Sequence, residues 1–167
     1  IFGHSGGGFM ATAAICTYPD FYKAAVSSSG NHDNNIYNRG WVEIYNGVQE
    51  STKTIQTATG KDSIIYTFSS HVPTNMELAK NLKGHLLLVS GDQDRNVHPA
   101  HLLRMANALI QANKNFEMLL IPGAKHGYTG QANRFFEKKL WFHFAKYLLG
   151  DFSSEQFTDL DETLKIK

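Results

Sequence analysis

Short apolar runs alternate along the chain with longer stretches in which apolar residues recur at helical spacing. That alternation predicts an α/β protein with a mainly parallel sheet and helices on both faces, because parallel neighbours need a crossover between them, most often a helix. Residues 1–2 read as the end of a strand and 24–29 as a short strand of small residues. Residues 85–90 read as the clearest strand and 116–121 as the last. Between them the spacing predicts a helix over 6–18, with Phe9, Met10, Ala13, Ala14 and Cys16 on its buried side and Pro19 at its stop. A short helix is expected over 76–82. A longer one is expected over 99–112, where Leu102, Leu103, Met105, Ala106, Leu109 and Ile110 share helical spacing behind a proline in the first turn. Residues 132–149 form the last amphipathic pattern, with Phe135, Phe136, Leu140, Phe144, Tyr147 and Leu148 on its apolar side and Gly150 as its stop. Residues 31–70 break the alternation. They are polar and rich in Asn, Thr and Ser, and the expectation there is a long functional loop, or one with helices that the pattern does not define. The expected organisation is one domain over 1–150 and a tail over 151–167.

Composition changes this picture little but excludes several roles. The 42% hydrophobic and 19% charged content is that of a globular chain with a core. Sixteen basic and fifteen acidic residues leave +1, and basic residues cluster no further than pairs such as Lys138-Lys139. A nucleic-acid partner or an anionic membrane surface is therefore not expected, since both need a concentrated basic face. The single cysteine, Cys16, excludes an internal disulfide framework and a cysteine-rich zinc site. No apolar stretch approaches the roughly 18 residues of a membrane span. The chain opens on Ile without a charged leader, so the compartment is unreadable and a natural amino terminus is not expected at this point.

The candidate chemistry begins at Gly3-His4-Ser5-Gly6-Gly7, between a strand end and a helix start. A serine on a sharp strand-to-helix turn needs unusual backbone angles and neighbours without Cβ atoms, a need met by Gly3 and Gly7 and relaxed further by Gly6 and Gly8. The helix start aims N–H groups at a developing oxyanion, and Gly6 N–H is the natural first donor. A glycine-rich turn that happens to hold a serine, or a phosphate cradle, would read the same way. A serine nucleophile also needs a base. Of the eight histidines, His126 follows the last strand in Pro122-Gly123-Ala124-Lys125-His126-Gly127, whereas His143 lies within a helix and His98 and His101 open one, where partial exposure is expected. The acid should leave the strand ending at Ser90, in Gly91-Asp92-Gln93-Asp94-Arg95-Asn96-Val97. Spacing does not choose between Asp92 and Asp94.

Together, Gly3-His4-Ser5-Gly6-Gly7-Gly8-Phe9-Met10, the Gly91–Val97 segment and Lys125-His126-Gly127 resemble the catalytic domain of the prolyl oligopeptidase family, in its dipeptidyl peptidase IV branch. The resemblance runs from residue 1 to about 150. It implies part of an α/β-hydrolase fold and a serine peptidase that cuts near the amino terminus of peptides without metal or organic cofactor. On the matching positions it implies Ser5 as nucleophile, His126 as base, Asp94 rather than Asp92 as acid, and Asn96 at the substrate backbone. Trp41-Val42-Glu43-Ile44-Tyr45-Asn46-Gly47 is similar to the segment after the aromatic wall of the proline pocket, which places Tyr37 and Trp41 at wall positions; both would also serve as ordinary core aromatics.

The chain departs from that family in having Gly6 where an aromatic usually follows the nucleophile, which opens the site beside the serine and weakens strict proline preference. The family's tyrosine oxyanion donor and its propeller domain lie upstream of the segment matched here. The expectation is therefore a fragment of a larger enzyme, weakly active or inactive alone, that covers its exposed first strand and apolar patches by self-association, most simply as a dimer. The same resemblance allows a periplasmic, secreted or membrane-anchored parent protein. An esterase or acyl-aminoacyl hydrolase of the same fold, or a non-catalytic assembly domain, are the other readings.

Overall fold

The computed structural model describes residues 1–69 and 72–153; the expected tail lies, beyond residue 153, outside the described residues. The chain divides into two compact units, Ile1–Asp33 together with the chain from Thr74, and Asn34–Pro73.

The first unit is a four-stranded, fully parallel sheet with helices on both faces. Its strands are β1 (Phe2–His4), β2 (Ala24–Ser28), β5 (His85–Gly91) and β6 (Glu117–Ile121), in the order β1-β2-β5-β6. Registers such as Phe2↔Val26, Val26↔Leu87 and Leu87↔Glu117 run across it. Helices α1 (Gly6–Thr17), α3 (Ala100–Gln111) and α4 (Gly130–Phe144) follow β1, β5 and β6, and a 3-10 helix spans Asn75–Asn81. β1 is an edge, paired among the described residues with β2 alone.

Period-two alternation sorts the sheet's side chains into two cores. Ala25, Leu86 and Leu88 face Ile15 and Cys16 of α1 and Leu102, Met105 and Leu109 of α3. Val26, Leu87, Val89 and Ile121 face Phe136, Leu140 and Phe144 of α4. β2 and all of β5 beyond His85 are buried, as expected for central parallel strands covered on both sides.

Three helix faces differ from the sequence reading. α1 buries Gly8, Ala11, Thr12, Ile15 and Cys16, while Met10 is exposed. The helix is apolar nearly all round, so spacing alone does not choose its inner face. In α3, Leu103 and Ile110 point outward and His101 is buried. In α4, Phe135 is partly exposed, and the α-helix ends at Phe144 with Ala145–Leu149 as a wider π-helical turn. Leu148, on that turn, is exposed.

A hairpin corrects the expected long loop, while the alternative expectation, helices that the pattern does not define, is met in part by the second unit. That unit contains α2 (Arg39–Asn46), capped by the Asn38 side chain accepting from Trp41 N at 3.1 Å. Its other part is an antiparallel hairpin of β3 (Gln49–Gln56) and β4 (Asp62–Ser69). β3 reads Gln-Glu-Ser-Thr-Lys-Thr-Ile-Gln and is exposed along its whole length. It has no buried face, and so none of the alternation by which a strand is recognised.

Candidate active site

Every strand of a parallel sheet ends on the same side, so the loops after β1, β5 and β6 meet at one edge of the sheet. Ser5, Asp94 and His126 stand on those three loops.

Ser5 caps the start of α1 with φ 57° and ψ −123°, a left-handed conformation that costs an ordinary side chain about 1–3 kcal/mol. Two backbone hydrogen bonds hold it: Ser5 N donates to Ser28 O at 2.8 Å, and Phe9 N donates to Ser5 O at 3.0 Å. The turn is tight because of Gly3. A Cβ there would stand 2.2 Å from Gly7 O, whereas Gly6 and Gly7 themselves have open space where a Cβ would go. The glycine requirement thus falls on Gly3 and on Gly8, where a Cβ would stand 2.8 Å from Ser28 O, and not on the two glycines directly after the serine. Gly6 N–H belongs to the first helical turn, where amides have no carbonyl partner within the helix.

His126 Nε2 lies 3.1 Å from Ser5 Oγ, and His126 Nδ1 lies 2.8 Å from Asp94 Oδ2. Because a carboxylate only accepts, Nδ1–H donates to Asp94, which leaves Nε2 to accept from the serine hydroxyl. The Asp94 side chain is fully buried and that of His126 a quarter exposed, so the ring is open to solvent on the serine side only in part. Asp94 Oδ1 accepts from Asn96 N and Val97 N, both at 2.9 Å. Asp92 does not touch the imidazole. Its Oδ1 accepts from Gly123 N at 2.6 Å, tying the β5 loop to the turn that carries His126.

Sequence reasoning did not single out the residues behind this row. His4 packs its ring on His126, centroids 4.8 Å apart, and its Nδ1 lies 2.9 Å from Ser28 Oγ. Burial, and then the neighbouring His126, lower the His4 pKa. Ser28 Oγ donates to Tyr128 OH at 3.1 Å, and burial raises the Tyr128 pKa. His4 had one signal, its place inside the glycine-serine motif; Ser28 and Tyr128 had none.

A second polar group supports α1 from beneath. Asn75 Nδ2 donates to Phe9 O at 3.0 Å and to His32 Nδ1 at 2.9 Å. His32 Nε2–H is therefore free to donate to Ser27 Oγ at 3.3 Å, which donates to Gly8 O at 2.9 Å. His32 is wholly buried, and that burial lowers its pKa to about 3. His101, whose partial exposure was expected, is 1% exposed, with Nδ1 accepting from Asp33 N at 3.2 Å. The same loop residue is gripped twice from α3, since Arg104 also pairs with Asp33 Oδ2 at 2.7 Å. His143 is buried in α4 and donates from Nε2 to His85 O at 3.2 Å.

Of the remaining candidates, Asn96 is exposed beside His126 in an open cleft. Tyr37 and Trp41 lie in the second unit, with ring centroids 5.3 Å apart in an edge-to-face contact. Among the described residues no group of three or more His, Cys, Asp or Glu is placed to hold a metal ion, and no helix is long and apolar enough to cross a membrane.

The parallel sheet, with the strained serine turn at its edge, is that of an α/β-hydrolase. Comparison narrows the class: residues 1–152 match the model of the prolyl oligopeptidase family, and the chain belongs to that family. It is 24% identical over 153 residues to bovine (Bos taurus) prolyl endopeptidase FAP, covering 92% of this chain and 18% of that protein. Among solved structures it is similar to a Bacteroides ovatus protein described as a dipeptidyl aminopeptidase IV (TM-score 0.70, 25% identity, 88% of this chain and 19% of that one). It is likewise similar to Porphyromonas gingivalis dipeptidyl peptidase 4 (TM-score 0.67, 26% identity, 86% of this chain and 19% of that one). The chain thus spans less than a fifth of the length of these relatives.

Proposed function

We propose that this chain carries the reacting groups of a serine peptidase that releases short pieces from the amino end of peptides. The observation that carries the reading is the row Ser5–His126–Asp94, each pair within hydrogen-bond distance, on three loops at one edge of the sheet. Ser5 Oγ attacks the scissile carbonyl while its proton passes to His126 Nε2. Asp94 holds the ring's tautomer and stabilises the imidazolium. The proton then goes to the leaving amine, and water releases the acyl group by the same route in reverse. Gly6 N–H donates to the oxyanion. Asn96 contacts the substrate backbone. None of these steps calls for a metal or organic cofactor.

Ester substrates are a second reading, favoured by one observation: space stands open where a side chain on Gly6 would otherwise narrow the approach to Ser5. A single experiment separates the two. In the full-length natural protein, a dipeptidyl chromogenic amide and the matching ester are compared before and after Ser5→Ala. The peptidase reading expects amide turnover that falls by at least about 10³-fold with substrate binding largely kept. Ester turnover without amide turnover selects the second reading, and activity that survives Ser5→Ala removes both.

A further inference from the structure

Arg95 and Lys125 are each one residue from a member of the Ser5–His126–Asp94 row, next to Asp94 and next to His126 respectively. Both line the open cleft that also holds Gln93, Asn96 and His126. Neither cation has a hydrogen bond or ion pair among the described residues. The two acids of the same loop are otherwise engaged, Asp94 by His126 and two backbone amides, Asp92 by Gly123 N. The chain as a whole is close to neutral at +1, so this pair is a local feature and not a sample of a basic surface. Two cations on one cleft, neither ion-paired with a carboxylate among the described residues, favour an anion between them. A guanidinium fork beside an ammonium suits the planar, two-oxygen geometry of a carboxylate.

We infer that Arg95 and Lys125 form a carboxylate-binding subsite, so that the preferred substrates are peptides with a carboxylate close to the scissile bond. This rests on the peptidase reading and names a substrate class for it. The carboxylate is supplied by an acidic side chain or by the free carboxyl end of a short peptide, and the two sources are separable. Because the cations are exposed, the preference is moderate and screened by salt.

The test uses the full-length natural protein, alongside Arg95→Gln/Lys125→Gln. Matched peptides carry Glu or Gln beside the scissile bond, and a free or amidated carboxyl end. The expected result is a ratio of kcat/KM, carboxylate over amide, of about 3 to 10 in one of the two series. That ratio shrinks at 0.5 M salt and falls to about 1 in the double variant. Equal ratios in both proteins, or no preference in either series, overturn the inference. A second readout does not depend on peptide turnover: the labelling of Ser5 by a neutral fluorophosphonate. N-acetylglutamate α-amide and N-acetylglutamine present one carboxylate each, from the two sources, and N-acetylglutamine amide presents none. Stronger protection by one of the acids, lost in the double variant, supports the subsite even without peptide hydrolysis. Equal protection by all three overturns it. A Ser5 that takes no label removes the serine reading itself, and the subsite with it.

Discussion

Asp94 divides its two carboxylate oxygens between the His126 ring and the backbone of its own loop. Oδ2 lies 2.8 Å from Nδ1, and Oδ1 accepts from Asn96 N and Val97 N. The residue therefore fixes a ring and shapes a turn at once, which is why it stays fully buried without an arginine or lysine partner among the described residues. Asp94→Asn separates the two tasks. The amide keeps an acceptor oxygen for the turn while its NH2 group, which cannot accept from Nδ1–H, faces the ring. Turnover should fall by about 10³–10⁴-fold in steady-state assays, with the urea midpoint changed little. Equal losses of turnover and stability would mean that the carboxylate serves the turn alone.

Gly91 should be as sensitive as any residue of the row, although it carries no side chain. A Cβ on it would stand 2.2 Å from Ala124 O, in the loop that leads to His126, and Gln93 N donates to that same carbonyl at 3.0 Å. The β5 and β6 loops approach this closely because nothing intervenes. Gly91→Ala should cost at least about 2–3 kcal/mol in denaturant unfolding, since the clash is with backbone that cannot rotate away. Any folded remainder should show slowed labelling of Ser5. An unchanged midpoint would show that the two loops can part without cost.

The network under α1 gives a pH dependence with a definite sign. His32 accepts at Nδ1 from Asn75 and donates at Nε2, so a second ring proton would meet an amide donor with no acceptor to receive it. Its folded pKa, pushed down to about 3 mainly by burial, lies below the unfolded value of 6.5. Below pH 6.5 the unfolded chain takes up a proton that the folded chain refuses, so this contribution to stability is complete above pH 6.5 and is lost progressively as pH falls toward 3. Between pH 7 and 5 the loss is about 2 kcal/mol. His4, His85 and His101 are also lowered by burial and act in the same direction. The comparison that isolates His32 is therefore the slope of urea stability against pH in the natural protein and in His32→Gln, which should be flatter by that amount.

The fold class was readable from the alternation of strand and helix because each central strand is a run of apolar residues bounded by turn signals. The choice of helix face was not. α1 is apolar on nearly every side, and only the sheet's own geometry turns Ile15 and Cys16 inward and Met10 outward. The second unit was illegible for the opposite reason: β3 has almost no apolar residues, and its order comes from the ladder Gln49↔Ser69 to Gln56↔Asp62, not from a buried face. At the site, Asp92 and Asp94 are equivalent by spacing. What separates them is the turn after Asp94, which presents two backbone amides to one oxygen and so aims the other across the sheet edge. Among residues that act through neighbours, His4 carries only its place in the glycine-serine motif and Ser28 and Tyr128 carry no pattern at all, because the contacts that define them join segments distant in sequence.

Cys16 provides the last test, of how firmly α1 is held in place. The thiol lies on the inner side of the helix with no exposed surface, packed in the core that includes Ala25 and Leu86, and burial raises its pKa to about 11 despite the opposing pull of Lys114. At pH 8 only about one thiol in 10³ is ionised, and the thiolate is the reactive form. Exposure then requires α1 to lift from β2, which also removes the backbone bond between Ser5 N and Ser28 O that keeps the serine in its strained conformation. Native protein should therefore resist iodoacetamide for hours and react fully in denaturant. Where slow native labelling is seen, its rate reports the opening of α1 and should rise in Asn75→Ala, which removes the bond to Phe9 O. Prompt stoichiometric labelling of the native protein would mean that α1 opens freely. The geometry around Ser5 would then be a transient arrangement, not a preorganised one.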